Sequence, residues 1–124
     1  MIVLLDTHAL IWALEDSNRL SAAARSVIED AGNVVLASAV SAWEIAIKKA
    51  RGKLQAPDDL ENAIEAAGFT RRSITFGDAS RLAALADHHR DPFDRMLVAQ
   101  ALEDGVPIVS RDPHVAQYPI QVIW

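Results

Sequence analysis

Apolar positions in this chain fall into short continuous runs set between longer stretches with helical spacing. IVLL (2–5) is a short apolar run suited to a strand buried on both faces, VVLA (34–37) is a second buried strand, VPIVS (106–110) is a third apolar strand, and IQVIW (120–124) closes the chain. From Thr7, the spacing of Leu10, Ile11 and Leu14 predicts a helix. Ser21 caps a second, running AAARSVIEDA to Gly32. A third begins at Ser38 or Ser41, passes through Trp43, Ile45 and Ile47, and ends near Gly52. Pro57 and Asp58 open a fourth, DLENAIEAAG, closed by Gly68. FTRRSITF reads as a weak strand or a loop, and DASRLAALADHH as a helix with His88 and His89 at its C-terminus. Asp91-Pro92 then opens the strongest helix, which Gly105 ends. Strands alternating with helices of this length call for a parallel or mostly parallel sheet, because each crossover needs a helix. The expected fold is α/β: a three-layer sandwich with a central, mostly parallel sheet flanked by helices, and residues 1–124 as one domain.

Composition narrows the chemistry. The chain has no cysteine, which removes disulfides, thiolate metal sites and thiol nucleophiles and fits a reducing cytoplasm. Asp6 and His8 interrupt the apolar start and no basic segment precedes it, so it reads as a strand and helix rather than a signal peptide. No run approaches the ~20 apolar residues of a membrane span. The formal net charge of −5 weighs against nucleic-acid binding on electrostatics alone. That sum conceals two basic runs, Lys48, Lys49, Arg51 and Lys53, then Arg71 and Arg72, while Arg90 and Arg95 bracket the segment DPFD. Carboxylates that bind divalent cations would also raise the local charge.

Four acids stand where a parallel sheet gathers ligands, beyond the carboxyl ends of its strands. Asp6 follows IVLL directly, and Asp112 lies two residues past VPIVS. Glu44 and Asp94 lie early in helices that begin at the same rim. Local rules give each a plain reading: Asp6 as a helix cap, Glu44 as the partner of Lys48 on a helix surface, Asp112 as a turn former before Pro113. Asp91, Pro92 and Asp94 satisfy the rules for a helix start throughout. Capping nevertheless has no preference for the rim a neighbour uses, and clustered carboxylates raise one another's pKa unless a cation offsets them. Oxygen donors without cysteine or a histidine pair favour Mg²⁺ or Mn²⁺ over zinc, and such a site suits phosphodiester hydrolysis. Arg95, a cation in a first helical turn, opposes the helix dipole; a phosphate, a carboxylate nearby or plain solvation each accounts for it.

Other chemistries find less support. His8, His88, His89 and His114 show no triad or metal-pair spacing, and Ser38, Ser41 and Ser110 lie in no nucleophile elbow. A receiver-type phosphoacceptor domain would need an aspartate ending a central strand and a lysine ending a later one. Here VVLA runs into Ser38 and VPIVS into Arg111.

DTHALIW after the first strand, WEIAIK around Glu44, DPFDRMLVAQA, and IVSRD before a final IQVIW, in this order, resemble the PIN-domain ribonucleases, and among them the VapC-type toxins of toxin–antitoxin pairs. The resemblance spans nearly the whole chain. It implies a metal-dependent endoribonuclease with Asp6, Glu44, Asp94 and Asp112 as its acids. Asp6, Asp94 and Asp112 would hold Mg²⁺ or Mn²⁺, and Glu44 would orient or deprotonate the attacking water or hold a second metal. Thr7 matches a hydroxyl residue often found beside the first acid, and Ser110 stands where many members carry threonine. Asp91 lies before the register of the family's acid. In such an enzyme the basic runs at 48–53 and 71–72 would guide RNA toward the pocket, and solvated helix surface accounts for them equally well. The resemblance further implies a homodimer and a cognate antitoxin; the alternative within it is an inactive member kept as a binding module.

Overall fold

The computed structural model describes residues 1–124. Five strands form one sheet: β1 (Ile2–Leu5), β2 (Val34–Ser38), β3 (Thr70–Arg72), β4 (Ile108–Val109) and β5 (Val122–Ile123). Their order is β3-β2-β1-β4-β5 and every pairing is parallel. The helices are α1 (Thr7–Leu14), α2 (Ala22–Glu29), α3 (Ala39–Ala50), α4 (Leu60–Ala66), α5 (Phe76–Ala83) and α6 (Pro92–Asp104), with a 3₁₀ turn at Val115–Gln117. None is long and apolar enough to cross a membrane. The expected three-layer α/β sandwich is therefore present.

The unbroken apolar strands follow from the two-residue period of a strand, which sends alternate side chains to opposite faces. Val3 and Leu5 of β1, Val35 and Ala37 of β2 and Val109 of β4 bury against Leu10, Ile11 and Trp12 of α1, Ala24 of α2 and Ile45 of α3. Leu4, Leu36 and Ile108 point the other way, onto Leu97, Val98 and Ala101 of α6. Both faces are dry, so both parities must be apolar.

Strand order places the functional rim. The chain steps from β1 out to β2 and β3, then crosses back through α5 and α6 to set β4 on the other side of β1. The topological switch point, where open parallel sheets leave a crevice, thus lies between β1 and β4. The Asp6 N–H donates to the Val109 carbonyl there, 3.1 Å away, just as both strands end.

Three local expectations shift. The fourth helix begins at Leu60 with Asp59 as cap, because Lys49 Nζ draws in the carbonyls of Ala56 and Pro57 at 3.0 and 3.2 Å and the Asp58 carboxylate. The third apolar run pairs only at Ile108–Val109, and the last only at Val122–Ile123. The helix expected through His89 stops at Ala83. Backbone groups that a helix would bond internally go elsewhere: the N–H groups of His88 and His89 donate to the Tyr118 hydroxyl, and Arg95 donates to the Leu85, Ala86 and His89 carbonyls. His88 and His89 therefore lie in a tied-down loop, away from any helix C-terminus. At the far end of α6, Gly105 closes the helix at φ +65°, a left-handed cap that side chains resist.

A buried polar network fixes α6 to the sheet. Asp78 is fully buried, accepts two hydrogen bonds from the Arg72 guanidinium at 2.7 and 2.8 Å, and completes a capping box with Thr75. Gln100 of α6 donates to Asp78 at 3.1 Å and accepts from the Ser38 hydroxyl at 2.5 Å, and Asp104 takes the rest of Arg72. Burial pushes the Asp78 carboxyl up, but Arg72, the Thr75 N–H and Gln100 outweigh it and hold the pKa below the usual value. Stability from Asp78 is accordingly present above the unfolded carboxylate range, near pH 4, and is lost as pH falls through the lower folded value. Asp78→Ala should lower the unfolding free energy in urea by roughly 3 kcal/mol, the low end for a broken buried pair because Arg72 keeps Asp104. The same variant should lose less stability on acidification than the parent.

Candidate active site

A cavity of about 440 Å³ opens at the switch-point rim, lined by Asp6, Glu44, Asp91, Asp94 and Asp112 together with three cations, Arg19, Lys48 and Arg111. A second cleft of similar size, between α3 and α4, has its charges already matched in the pairs Lys49–Asp58, Arg71–Glu61 and Arg72–Asp78. Unmatched acid makes the first the candidate site.

Each acid arrives by a different local rule. Asp6 caps α1, its Oδ1 accepting from the Ala9 N–H at 2.8 Å, so the capping reading is right and incomplete. Only 6 % exposed, it is pushed up by burial; hydrogen bonds from the Ser110 hydroxyl and Ala9 counter part of this. Asp91 is the cap of α6, accepting from the N–H groups of Phe93 and Asp94 at 2.8 and 3.3 Å with Pro92 in the first turn. Asp94 sits one turn on. Burial, then the charges of Asp91 and Glu44, raise its pKa to about 7.

Glu44 departs furthest from its local reading, with only 2 % of its surface exposed. The Thr7 hydroxyl donates to Oε1 at 2.6 Å, and Lys48 Nζ binds Oε2. Since that spends the Thr7 proton, the Ser41 hydroxyl, 2.9 Å away, donates to Thr7. The Lys48 pair predicted for a surface exists, turned inward by the packing of α3 on α1. Asp112 lies in the loop after β4 and is part-buried. Burial raises it, but His89 and the His114 N–H outweigh this and hold it below the usual range. Ser110 stands between the two strand-end acids: its hydroxyl beside Asp6 lowers the pKa of that carboxyl, and its oxygen accepts from the Asp112 N–H at 3.0 Å.

His89 is the residue that sequence reasoning missed. Its Nδ1 accepts from the Asp91 N–H at 3.0 Å, so the neutral ring carries its hydrogen on Nε2. Nε2 lies 2.7 Å from Asp112 Oδ2 and 3.2 Å from Asp94 Oδ2. One donor atom from each of His89, Asp94 and Asp112 lies within 4.8 Å of the other two. The position two residues before the Asp91 cap was a usable signal, obscured by assigning His89 to a helix end. Arg95, in contrast, does not line the cavity. It braces the loop that carries His89 through backbone carbonyls and the Tyr118 hydroxyl. Of the basic runs only Lys48 reaches the cavity, while Lys49, Arg71 and Arg72 pair within the protein.

These donors fit a hard divalent cation. Carboxylate oxygens dominate, no thiolate is available, and the charges of Asp91 and Glu44, which add to burial in raising the Asp94 pKa, are ones that a cation offsets.

Comparison with known proteins identifies the family and the fold. The PIN domain family matches residues 3–120. Ribonuclease VapC22 of Mycobacterium tuberculosis is 32 % identical over 117 residues, covering 89 % of this chain and 86 % of that protein. Among solved structures, VapBC2 from Rickettsia felis bound to a DNA fragment from its promoter superposes with a TM-score of 0.69 at 11 % identity, covering 98 % of this chain and 97 % of that one. VapBC-1 from nontypeable Haemophilus influenzae gives 0.66 at 19 % identity, covering 98 % and 96 %. At these identities the two structures speak to the fold.

A pH dependence follows from Asp94. Folded, it keeps its proton up to about pH 7; unfolded, it releases it near pH 4. The folded state binds more protons between those values, so metal-free stability falls as pH rises from about 4 to about 7. Thermal melts in chelator should show this fall, and Asp94→Asn should reduce it and melt above the parent at the alkaline end. Added Mg²⁺ or Mn²⁺ should raise the parent's Tm there by more than the variant's.

Proposed function

The chain belongs to the PIN domain family, and on that premise we propose that it is a metal-dependent endoribonuclease, the toxin of a toxin–antitoxin pair. The observation that carries the reading is the convergence of Asp6, Glu44, Asp94 and Asp112 on one cavity at the β1–β4 switch point. A relative named as a ribonuclease, aligned over most of both chains, supports it.

In this reading Asp6 and Asp94 hold Mg²⁺ or Mn²⁺, with Asp112 assisting directly or through water. The bound cation supplies Lewis acidity toward a phosphate oxygen and makes a nearby water more acidic. Glu44 orients that water and takes its proton: each carboxylate oxygen keeps a lone pair beyond those engaged by Thr7 and Lys48. Thr7 and Ser110 hold Glu44 and Asp6 in place, and His89 holds Asp112. Arg95 acts at a distance, through the loop it braces.

The substrate is RNA and the site of action is the cytoplasm, with residues 1–124 working as one nuclease domain. The partners are a cognate antitoxin that blocks the cavity and a second copy of the chain. Phe76, 95 % exposed, and Ile74 nearby offer apolar surface for the second copy to cover.

Partner-free protein should cut RNA in Mg²⁺ or Mn²⁺ and stop when chelator is added, as followed on a labelled transcript. Asp94→Asn should abolish cutting. Asp91→Asn should keep most of it although Asp91 also lines the cavity, because Asn caps a helix about as well as Asp. The reverse outcome would place the working acid of α6 at the wrong position.

A further inference from the structure

Two arginines at the cavity remain without a carboxylate partner. Arg25, Arg71, Arg72, Arg81 and Arg95 are each ion-paired within the protein, as are Lys48 and Lys49. Arg19 and Arg111 form no such pair, and both are exposed at the cavity edge. Both also seat on one side chain. The guanidinium carbon of Arg111 lies 4.8 Å from the Trp12 ring centroid, and that of Arg19 lies 5.9 Å from it.

Trp12 is a fixed platform. It is 6 % exposed and belongs to the core between the sheet and α1, with Trp124 and His8 rings against it at 5.9 and 5.5 Å. A guanidinium resting on an indole face loses freedom without spending its N–H donors, which stay available for a planar or tetrahedral anion. Two cations brought to one ring repel each other, and no protein carboxylate reaches either at ion-pair distance. An anionic ligand offsets that repulsion.

The surroundings say which anion. Five carboxylates line the same cavity and the whole chain carries −5, so a polyanion approaching the acids meets repulsion everywhere except at cations placed beside them. Lys48 is committed to Glu44. Arg19 and Arg111 are then the two cavity cations with no carboxylate of their own. Arg111 directly precedes Asp112, so a phosphate bound by it lies next to the reacting centre.

We propose that Arg19 and Arg111, held on Trp12, form a phosphate clamp that binds the RNA backbone beside the scissile bond. The clamp rests on the ribonuclease reading and deepens it. It contacts phosphate and so carries no base preference.

The test is RNA binding as a function of salt. A fluorescein-labelled single-stranded RNA of mixed sequence is titrated with Asp94→Asn protein in Mg²⁺, followed by anisotropy. Losing two phosphate contacts on a single strand should reduce the slope of log K against log salt by about 1.4. Arg19→Gln/Arg111→Gln in that background should show this loss, equally on unrelated RNA sequences. The control Arg81→Gln/Arg90→Gln removes the same charge from two exposed arginines outside the cavity and outside the basic runs, and should leave the slope unchanged. A full slope in the first variant, or an equal loss in the control, would overturn the clamp while RNA cutting by the parent protein still stood. Parent protein that neither binds nor cuts RNA in Mg²⁺ or Mn²⁺ would remove the ribonuclease reading and the clamp with it.

Discussion

Mutual repulsion among carboxylates crowded into a partly dry cavity is the constraint around which this molecule is arranged. Asp94 feels it most: burial and the neighbouring Asp91 and Glu44 lift its pKa to about 7. Each other acid is held by donors aimed at it. Glu44 has Thr7 and Lys48, Asp6 has Ser110 and the Ala9 N–H, and Asp112 has His89 and the His114 N–H. Asp94 has the least direct support, which makes it the natural seat for a cation that removes the repulsion.

The fold brings these groups together through parallelism and one reversal of strand order. Parallel strands end on a common rim, and the return of the chain to the far side of β1 opens the crevice where Asp6 and Asp112 meet. Helices that start on that rim add Glu44 and Asp94. Orientation of α6 then depends on a buried network at the ends of β2 and β3, where Gln100 links Ser38 to the Asp78–Arg72 pair. The loop before α6 is a second support: Tyr118 and Arg95 gather its backbone, and His89 carries that order into the site.

Most of the architecture was legible in the sequence because both strand faces are dry. Continuous apolar runs gave the strands, and Ser21, Ser38, Asp91 and Gly105 marked helix ends where they occur. The four acids were legible as a set and misleading singly. Asp6 and Asp91 obey capping rules, and Glu44 has the lysine of a surface pair, yet it is buried. What stayed hidden were contacts between distant segments. His89 meets Asp112 across the cavity, Arg19 meets Arg111 through Trp12, and Asp78 meets Gln100 beneath α6. No helical or strand period encodes these meetings, because they are set by how layers stack. Likewise the early end of α5 at Ala83 reflects Tyr118 and Arg95 outbidding a local helical preference.

The central claim, that the acids of α1, α6 and the β4 loop share one cation, has a direct measurement. Crystals of the protein soaked in Mn²⁺ give an anomalous scattering map that locates the ion without assumption about the site. The account predicts a peak between the carboxylates of Asp6 and Asp94, with Asp112 touching it directly or through a water and Glu44 still bonded to Thr7. A map with no peak in this cavity, or with the ion held elsewhere on the surface, would contradict it.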